Sequence, residues 1–192
     1  MATYLKASDL RVRAGAITAS AAGVLLRKAS AEPVRQYDIF LSHSFKDALA
    51  ILGLRELLME QGLSVYVDWL DDPQLDRSQV SEGTANMLRY RMNNSKTLVF
   101  ATSRASGASK WMPWELGYFD GGKGSSNVAI CPIETESSGD FAGQEYLGLY
   151  KTVEMVKQAS GITVPSVVTS SRNRAEGLKS FGQRQGQYYQ VS

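Results

Sequence analysis

The sequence predicts an α/β fold: a flavodoxin-like parallel sheet of five strands, in the order 2-1-3-4-5, with helices on both faces. Between residues 37 and 156, short apolar runs rich in β-branched residues alternate with segments of helical period, as strand–helix units require. The runs at 37–42, 97–101 and 128–133 are almost continuously apolar, as strands covered on both faces are. Stop signals such as Gly62 and Asn93-Asn94 separate the segments.

The first 36 residues precede this pattern. Leu10, Ala14, Ile17, Ala21 and Val24 recur at three- and four-residue intervals between basic flanks, which predicts an amphipathic N-terminal helix and a linker over 1–36. The helix packs on its own domain or docks on another subunit. The run 14–26 is too short and alanine-rich to span a bilayer, and Arg27-Lys28 follow where a signal-peptide cleavage region would be small and polar.

Strand one, at 37–42, ends in His43-Ser44. Ala48, Ile51, Leu54 and Leu58 then mark a helix stopped by Gly62. Residues 63–68 predict strand two. The loop 69–77 carries Asp71, Asp72, Pro73 and Asp76 and leads to a helix placed by Val80, Thr84, Met87, Leu88 and Met92. Strand three covers 97–101, strand four 128–133 and strand five 152–156. The connection 134–150, rich in Ser, Gly and acids, promises no long helix. Beyond residue 157, Ser, Gly, Gln and basic residues dominate, so 157–192 reads as a polar, basic, partly ordered extension, with an edge strand at 164–169 and a short helix near 174–181.

Composition narrows the function. The 192 residues hold 21 basic and 19 acidic side chains, a balance that gives no field calling for nucleic acid or a membrane surface. Cys131 and His43 are the only residues of their types, which excludes an internal disulfide and a zinc site built from those ligands; a reducing, cytoplasmic setting is the simplest expectation.

Residues 110–120 hold the densest aromatic cluster. Trp111 and Glu115 lie one helical turn apart and should share a face, with Trp114 and Tyr118 paired beside them. Pro113 fits the first turn of a helix, so Glu115 lies near the positive end of the helix dipole, which favours an ionised carboxylate unless burial opposes it. In the 2-1-3-4-5 order ligands bind at the carboxyl ends of strands one and three, here 42–45 and 102–109, and the second loop runs into this helix.

Three segments, Tyr-Asp-Ile-Phe-Leu-Ser-His-Ser at 37–44, the acidic loop at 68–77 and Trp-Met-Pro-Trp-Glu-Leu-Gly-Tyr-Phe-Asp-Gly at 111–121, together resemble a bacterial-type Toll/interleukin-1 receptor (TIR) domain over 37–156. The resemblance implies a five-stranded parallel sheet, self-association through TIR–TIR contacts, and a loop after strand two that serves assembly and gating. It also implies an enzyme that cleaves NAD+ at the nicotinamide–ribose bond with a glutamate in the aromatic helix, which the motif match makes Glu115. NAD+ would be substrate, with no cofactor and no metal. Members of this kind act in antiphage defence, where a nucleotide product activates a separate effector.

That chemistry is reasonable on its own terms. Nicotinamide leaves NAD+ as a neutral molecule, so no acid is needed to protonate it, unlike the oxygen of an ordinary glycoside. One carboxylate can then hold the ribose hydroxyls and stabilise the oxocarbenium charge. Trp111 and Phe45 offer flat apolar surface; Ser42, His43, Ser44, Asp68 and Trp69 complete the expected substrate contacts. The ribosyl cation can pass to water, to the substrate's own adenine or to a foreign base, giving hydrolysis, cyclisation or base exchange.

Plainer readings accompany each residue. Glu115 can be a first-turn glutamate favoured by the dipole, and Trp111 and Trp114 packing residues. His43 suits a turn histidine bonded to backbone. The acids at 68–76 read as a solvated loop, and they lack a helper motif for a cation. Arg104 and Gly107 give a weak signal for a diphosphate at the helix start. Asp38 is not a phosphoacceptor, because no second acid follows it and strand three ends without an aspartate. The alternative to an enzyme is a non-enzymatic TIR scaffold, acting through assembly alone.

Overall fold

The structure, a computed structural model of the chain, describes residues 3–18, 36–75, 80–103, 109–134 and 144–191. One sheet of nine strands runs through it: β1 (Leu5–Lys6), β2 (Tyr37–Ser42), β3 (Val65–Tyr66), β4 (Ser95–Thr102), β5 (Val128–Glu134), β6 (Lys151–Lys157), β7 (Thr163–Val168), β8 (Arg174–Gly177) and β9 (Tyr188–Gln190). The helices are α1 (Ala7–Thr18), α2 (Ala48–Glu60), the short α3 (Asp68–Asp71), α4 (Glu82–Asn93), α5 (Trp111–Lys123) and α6 (Leu178–Gly182).

The strand order is β3-β2-β4-β5-β6-β7-β8-β9. Its first five members pair in parallel, in the order expected for the predicted strands. The sheet does not stop there, which corrects the five-stranded expectation. The polar extension supplies the expected strand as β7 and the expected short helix as α6, and it adds β8 and β9, so that β7 to β9 form an antiparallel meander on β6. Its turns depend on backbone conformations of positive φ, at Gly161 (85°) and Arg172 (55°). Arg172 is held there by hydrogen bonds from its guanidinium to both oxygens of Glu154 at 2.7 Å. Val156, Val168 and Ala175, with Tyr189 and Val191 against them, form a small core cluster for this extension.

The N-terminal strand was also not foreseen. β5 and β6 pair only at Ala129–Lys151 and Ile130–Thr152. Beyond that point β1 pairs with β5, Leu5 opposite Ile133, and the Met155 N–H donates to the Thr3 carbonyl at 2.7 Å. The chain start thus satisfies backbone groups of two strands that have parted.

Alternate residues of each strand enter opposite cores, as the period of two dictates. Ile39, Leu41, Val99, Ala101, Ala129 and Cys131 lie under α1 and α2. Phe40, Leu98, Phe100, Val128 and Ile130 meet Leu88 and Met92 of α4 and Leu116 and Phe119 of α5. Burial pushes the Cys131 thiol up to about 12, so it is no nucleophile at neutral pH. Two helix boundaries follow capping chemistry. Gly62, at φ 77°, ends the turn after α2, with its N–H donating to the Met59 carbonyl. α4 begins at Glu82 because the Ser81 hydroxyl accepts from the Thr84 N–H at 3.1 Å, leaving Val80 outside the helix and exposed. No described helix is long and apolar enough to cross a membrane.

The amphipathic N-terminal helix packs on its own domain. Leu10 and Ala14 are buried against α2, whereas Ala21 and Val24 lie outside the described residues. The approach is close at Gly53, where an added Cβ would sit 1.9 Å from the Leu10 carbonyl oxygen. That obstacle is backbone and has no rotamer to move. Gly53→Ala should therefore cost about 2 kcal/mol or more in urea unfolding, despite the higher helix propensity of alanine. An unchanged midpoint would contradict this helix crossing.

Candidate active site

The carboxyl ends of β2 and β4 and the first turns of α5 meet at one place. Ser42 is the last residue of β2 and lies opposite Phe100 of β4. It follows Phe40 by two, so its side chain faces the α4 and α5 side of the sheet. There its hydroxyl donates to Oε2 of Glu115 at 2.6 Å. Both residues have 0% exposure. α5 starts at Trp111 with the Met112 N–H donating to the Ser109 hydroxyl at 3.3 Å, which puts Glu115 in the second turn.

The aromatic cluster divides its work. Trp114 and Tyr118 stack at 5.7 Å between centroids, and the Arg89 guanidinium of α4 lies over Trp114 at 5.3 Å. This pair joins α5 to α4. Trp111 is buried and meets Trp114 edge-on, 5.4 Å between centroids and 82° between planes. Trp111 and Glu115 both point into the core, as their spacing predicts, but Trp111 presents little surface to solvent.

The residue after Ser42 goes the other way. The His43 Nδ1 lies 2.8 Å from the Leu41 carbonyl, which can only accept, so Nδ1 carries the hydrogen. Nε2 then accepts from the Trp69 indole N–H at 2.8 Å. Asp68 Oδ1 lies 3.2 Å from that same nitrogen and accepts from the Trp69 backbone N–H at 2.8 Å. His43, Asp68 and Trp69 thus form one group tying the end of β2 to the loop after β3. Phe45 is 72% exposed and meets Trp69 edge-on at 6.0 Å. Ser44 caps the turn Phe45–Asp47, accepting from the Lys46 N–H at 3.4 Å.

The expected substrate contacts therefore fall into two sets. Ser42 and Trp111 lie with Glu115; His43, Ser44, Phe45, Asp68 and Trp69 gather between the end of β2 and the loop after β3. Sequence reasoning missed a bond between the loops after β2 and β4. The Ser103 hydroxyl, just past β4, donates to Asp47 at 2.6 Å and joins the two crevice loops. A serine in a loop and an aspartate in a helix start carry no pattern that would have singled them out. Arg104 and Gly107 lie outside the described residues.

The acidic loop is not a solvated one, a correction for Asp68, Asp71 and Asp72. Asp72 is buried and accepts from Tyr66 at 2.8 Å and from two nitrogens of Arg91 at 2.8 and 2.7 Å. This bond in turn raises the Arg91 pKa. The Asp71 carboxylate accepts from the Val67 N–H at 2.7 Å, and burial raises its pKa nonetheless. These acids fold the loop against α4. Arg91 gave no sequence signal, because a helix surface normally carries such residues.

With this geometry established, the chain can be compared with known proteins. No family model matches. The chain is 59% identical over 118 residues to "Probable 3' cyclic ADP-D-ribose synthase ThsB'" of Bacillus cereus (strain MSX-D12), covering 61% of this chain and 60% of that protein. Its curated relatives are bacterial proteins named as cyclic ADP-D-ribose synthases. "Putative cyclic ADP-D-ribose synthase TIR2" of Cytobacillus dafuensis is 39% identical over 83 residues, 43% of this chain and 22% of that protein. The chain thus spans about three fifths of the length of the first relative and about a fifth of the second.

A buried carboxylate that loses its hydrogen-bond donor keeps its desolvation penalty. Ser42→Ala should lower stability by about 1–3 kcal/mol in chemical denaturation, more than an ordinary surface serine. A loss below about 0.5 kcal/mol would mean that Ser42 does not hold Glu115.

Proposed function

We propose that this protein is a TIR-type enzyme that cleaves the nicotinamide–ribose bond of NAD+ and closes the remaining ADP-ribose into a cyclic product. The observation that carries the reading is the Ser42–Glu115 hydrogen bond, which fixes a carboxylate at the carboxyl ends of β2 and β4. That is where ligands bind in open sheets of this order. The names of the two relatives support cyclisation over hydrolysis or base exchange.

The steps balance without a cofactor. The bond between the anomeric carbon and the pyridinium nitrogen breaks, its electron pair goes to nitrogen, and nicotinamide leaves neutral. The Glu115 carboxylate stabilises the positive charge left on the ribose and orients its hydroxyls, an electrostatic role that needs no proton transfer to the leaving group. A nucleophile within the same substrate then bonds to the anomeric carbon and releases its proton to water. Exclusion of bulk water favours this capture over hydrolysis. Trp69 and Phe45, between the end of β2 and the loop after β3, supply apolar surface for the rings of the substrate.

Glu115 has no solvent exposure, so substrate reaches it only when the covering side chains move. The loop held by Asp72 and the His43–Trp69 contact is the natural moving part, and self-association is the natural trigger. The cyclic nucleotide would be the output, acting on a separate effector in antiphage defence.

Incubating NAD+ with the protein at high concentration tests the reaction. We expect free nicotinamide and a second product lighter than ADP-ribose by one water. ADP-ribose alone would exclude the cyclase, and no nicotinamide from concentrated, assembled protein would exclude NAD+ cleavage.

A further inference from the structure

A cavity lies at the end of the sheet opposite Glu115. It is about 480 Å³ in volume and is lined by Gln36, Asn93, Asn94, Ser95, Lys96, Lys123, Gln183 and Arg184. These residues come from the amino ends of β2 and β4, the last turns of α4 and α5, and the turn after α6. The volume is that of a site for a small molecule, about 300–1,000 Å³. No carboxylate lines it, while three cations do.

The three cations differ in how they are compensated. Lys96 is paired with Asp38 at 2.8 Å. Lys123 donates to the carbonyls of Asn93 and Ser95, neutral groups that leave its charge in place. Arg184 has no ion pair or side-chain hydrogen bond among the described residues. Burial, and after it the charge of Arg184, lower the Lys123 pKa, which places the two cations within electrostatic reach of each other.

The backbone adds an independent observation. Arg184 follows α6 at φ 58°, with its N–H donating to the Phe181 carbonyl at 2.9 Å and the Gln185 N–H donating to the Ser180 carbonyl at 2.8 Å. Glycine is the usual residue at such a helix end, and an arginine there is strained by about 1 kcal/mol. The other non-glycine residue of positive φ among the described residues is Arg172, whose guanidinium is held by Glu154. Arg184 carries the same strain with no protein anion to meet.

We propose that this cavity binds the phosphate of a nucleotide-sized molecule, gripped by Arg184 and Lys123, with the amides of Asn94 and Gln183 facing the remainder. The site is separate from the crevice at Glu115 and requires no turnover there.

Isothermal titration of the full chain with AMP and with inorganic phosphate tests it. AMP should bind with a Kd below about 1 mM, roughly tenfold tighter than inorganic phosphate. Arg184→Gly suits the local backbone and should keep or raise Tm while weakening AMP by about tenfold or more. Arg184→Glu should abolish binding. Equal affinity for AMP and phosphate would refute the nucleotide-sized occupant. Absence of binding, or binding unchanged in Arg184→Gly and Arg184→Glu, would overturn the site altogether.

Discussion

A carboxylate without contact to water must be compensated by the protein, and the compensation of Glu115 organises the upper end of this molecule. The Ser42 hydroxyl that donates to it is set by the β2–β4 register, and the helix that carries it starts where the β4 loop ends. Moving β2 by one residue would turn Ser42 to the other face and leave the carboxylate without this donor. The parallel pairing of β2 and β4 and the buried acid therefore depend on each other.

Around that bond the crevice is held by polar contacts of modest number and good geometry. Ser103 and Asp47 close one side. His43, Asp68 and Trp69 close the other, and the Asp72–Arg91 pair keeps the loop after β3 folded on α4. Such contacts are directional and can be exchanged for others, unlike the apolar cores on the two faces of the sheet. The proposed site, which would have to be both covered and opened, suits contacts of this kind.

The parallel half of the fold was legible because its strands are buried on both faces and so read as continuous apolar runs, with Gly62 and Asn94 as stops. Of the antiparallel half, β7 and α6 match the strand expected at 164–169 and the short helix expected near 174–181, but β8 and β9 were not legible: they have four and three residues, and β1 has two, too few for any period. The placement of Glu115 and Ser42 near the carboxyl ends of β2 and β4 was legible from helix spacing and topology. Their direct bond was not, since it depends on which face of β2 residue 42 occupies. The acids of the β3 loop were misread as solvated because their partners, Tyr66, Arg91 and the Val67 amide, come from strand, helix and backbone positions that sequence spacing does not connect.

We propose that Glu115 acts through its charge, not through packing. Glu115→Gln keeps the volume and an oxygen to accept from Ser42, and removes only the charge. Nicotinamide release from NAD+ in single-turnover conditions, with Tm measured on the same preparations, separates the two roles. The rate should fall by about a hundredfold or more with little change in Tm. A glutamine variant within about threefold of wild type would contradict it.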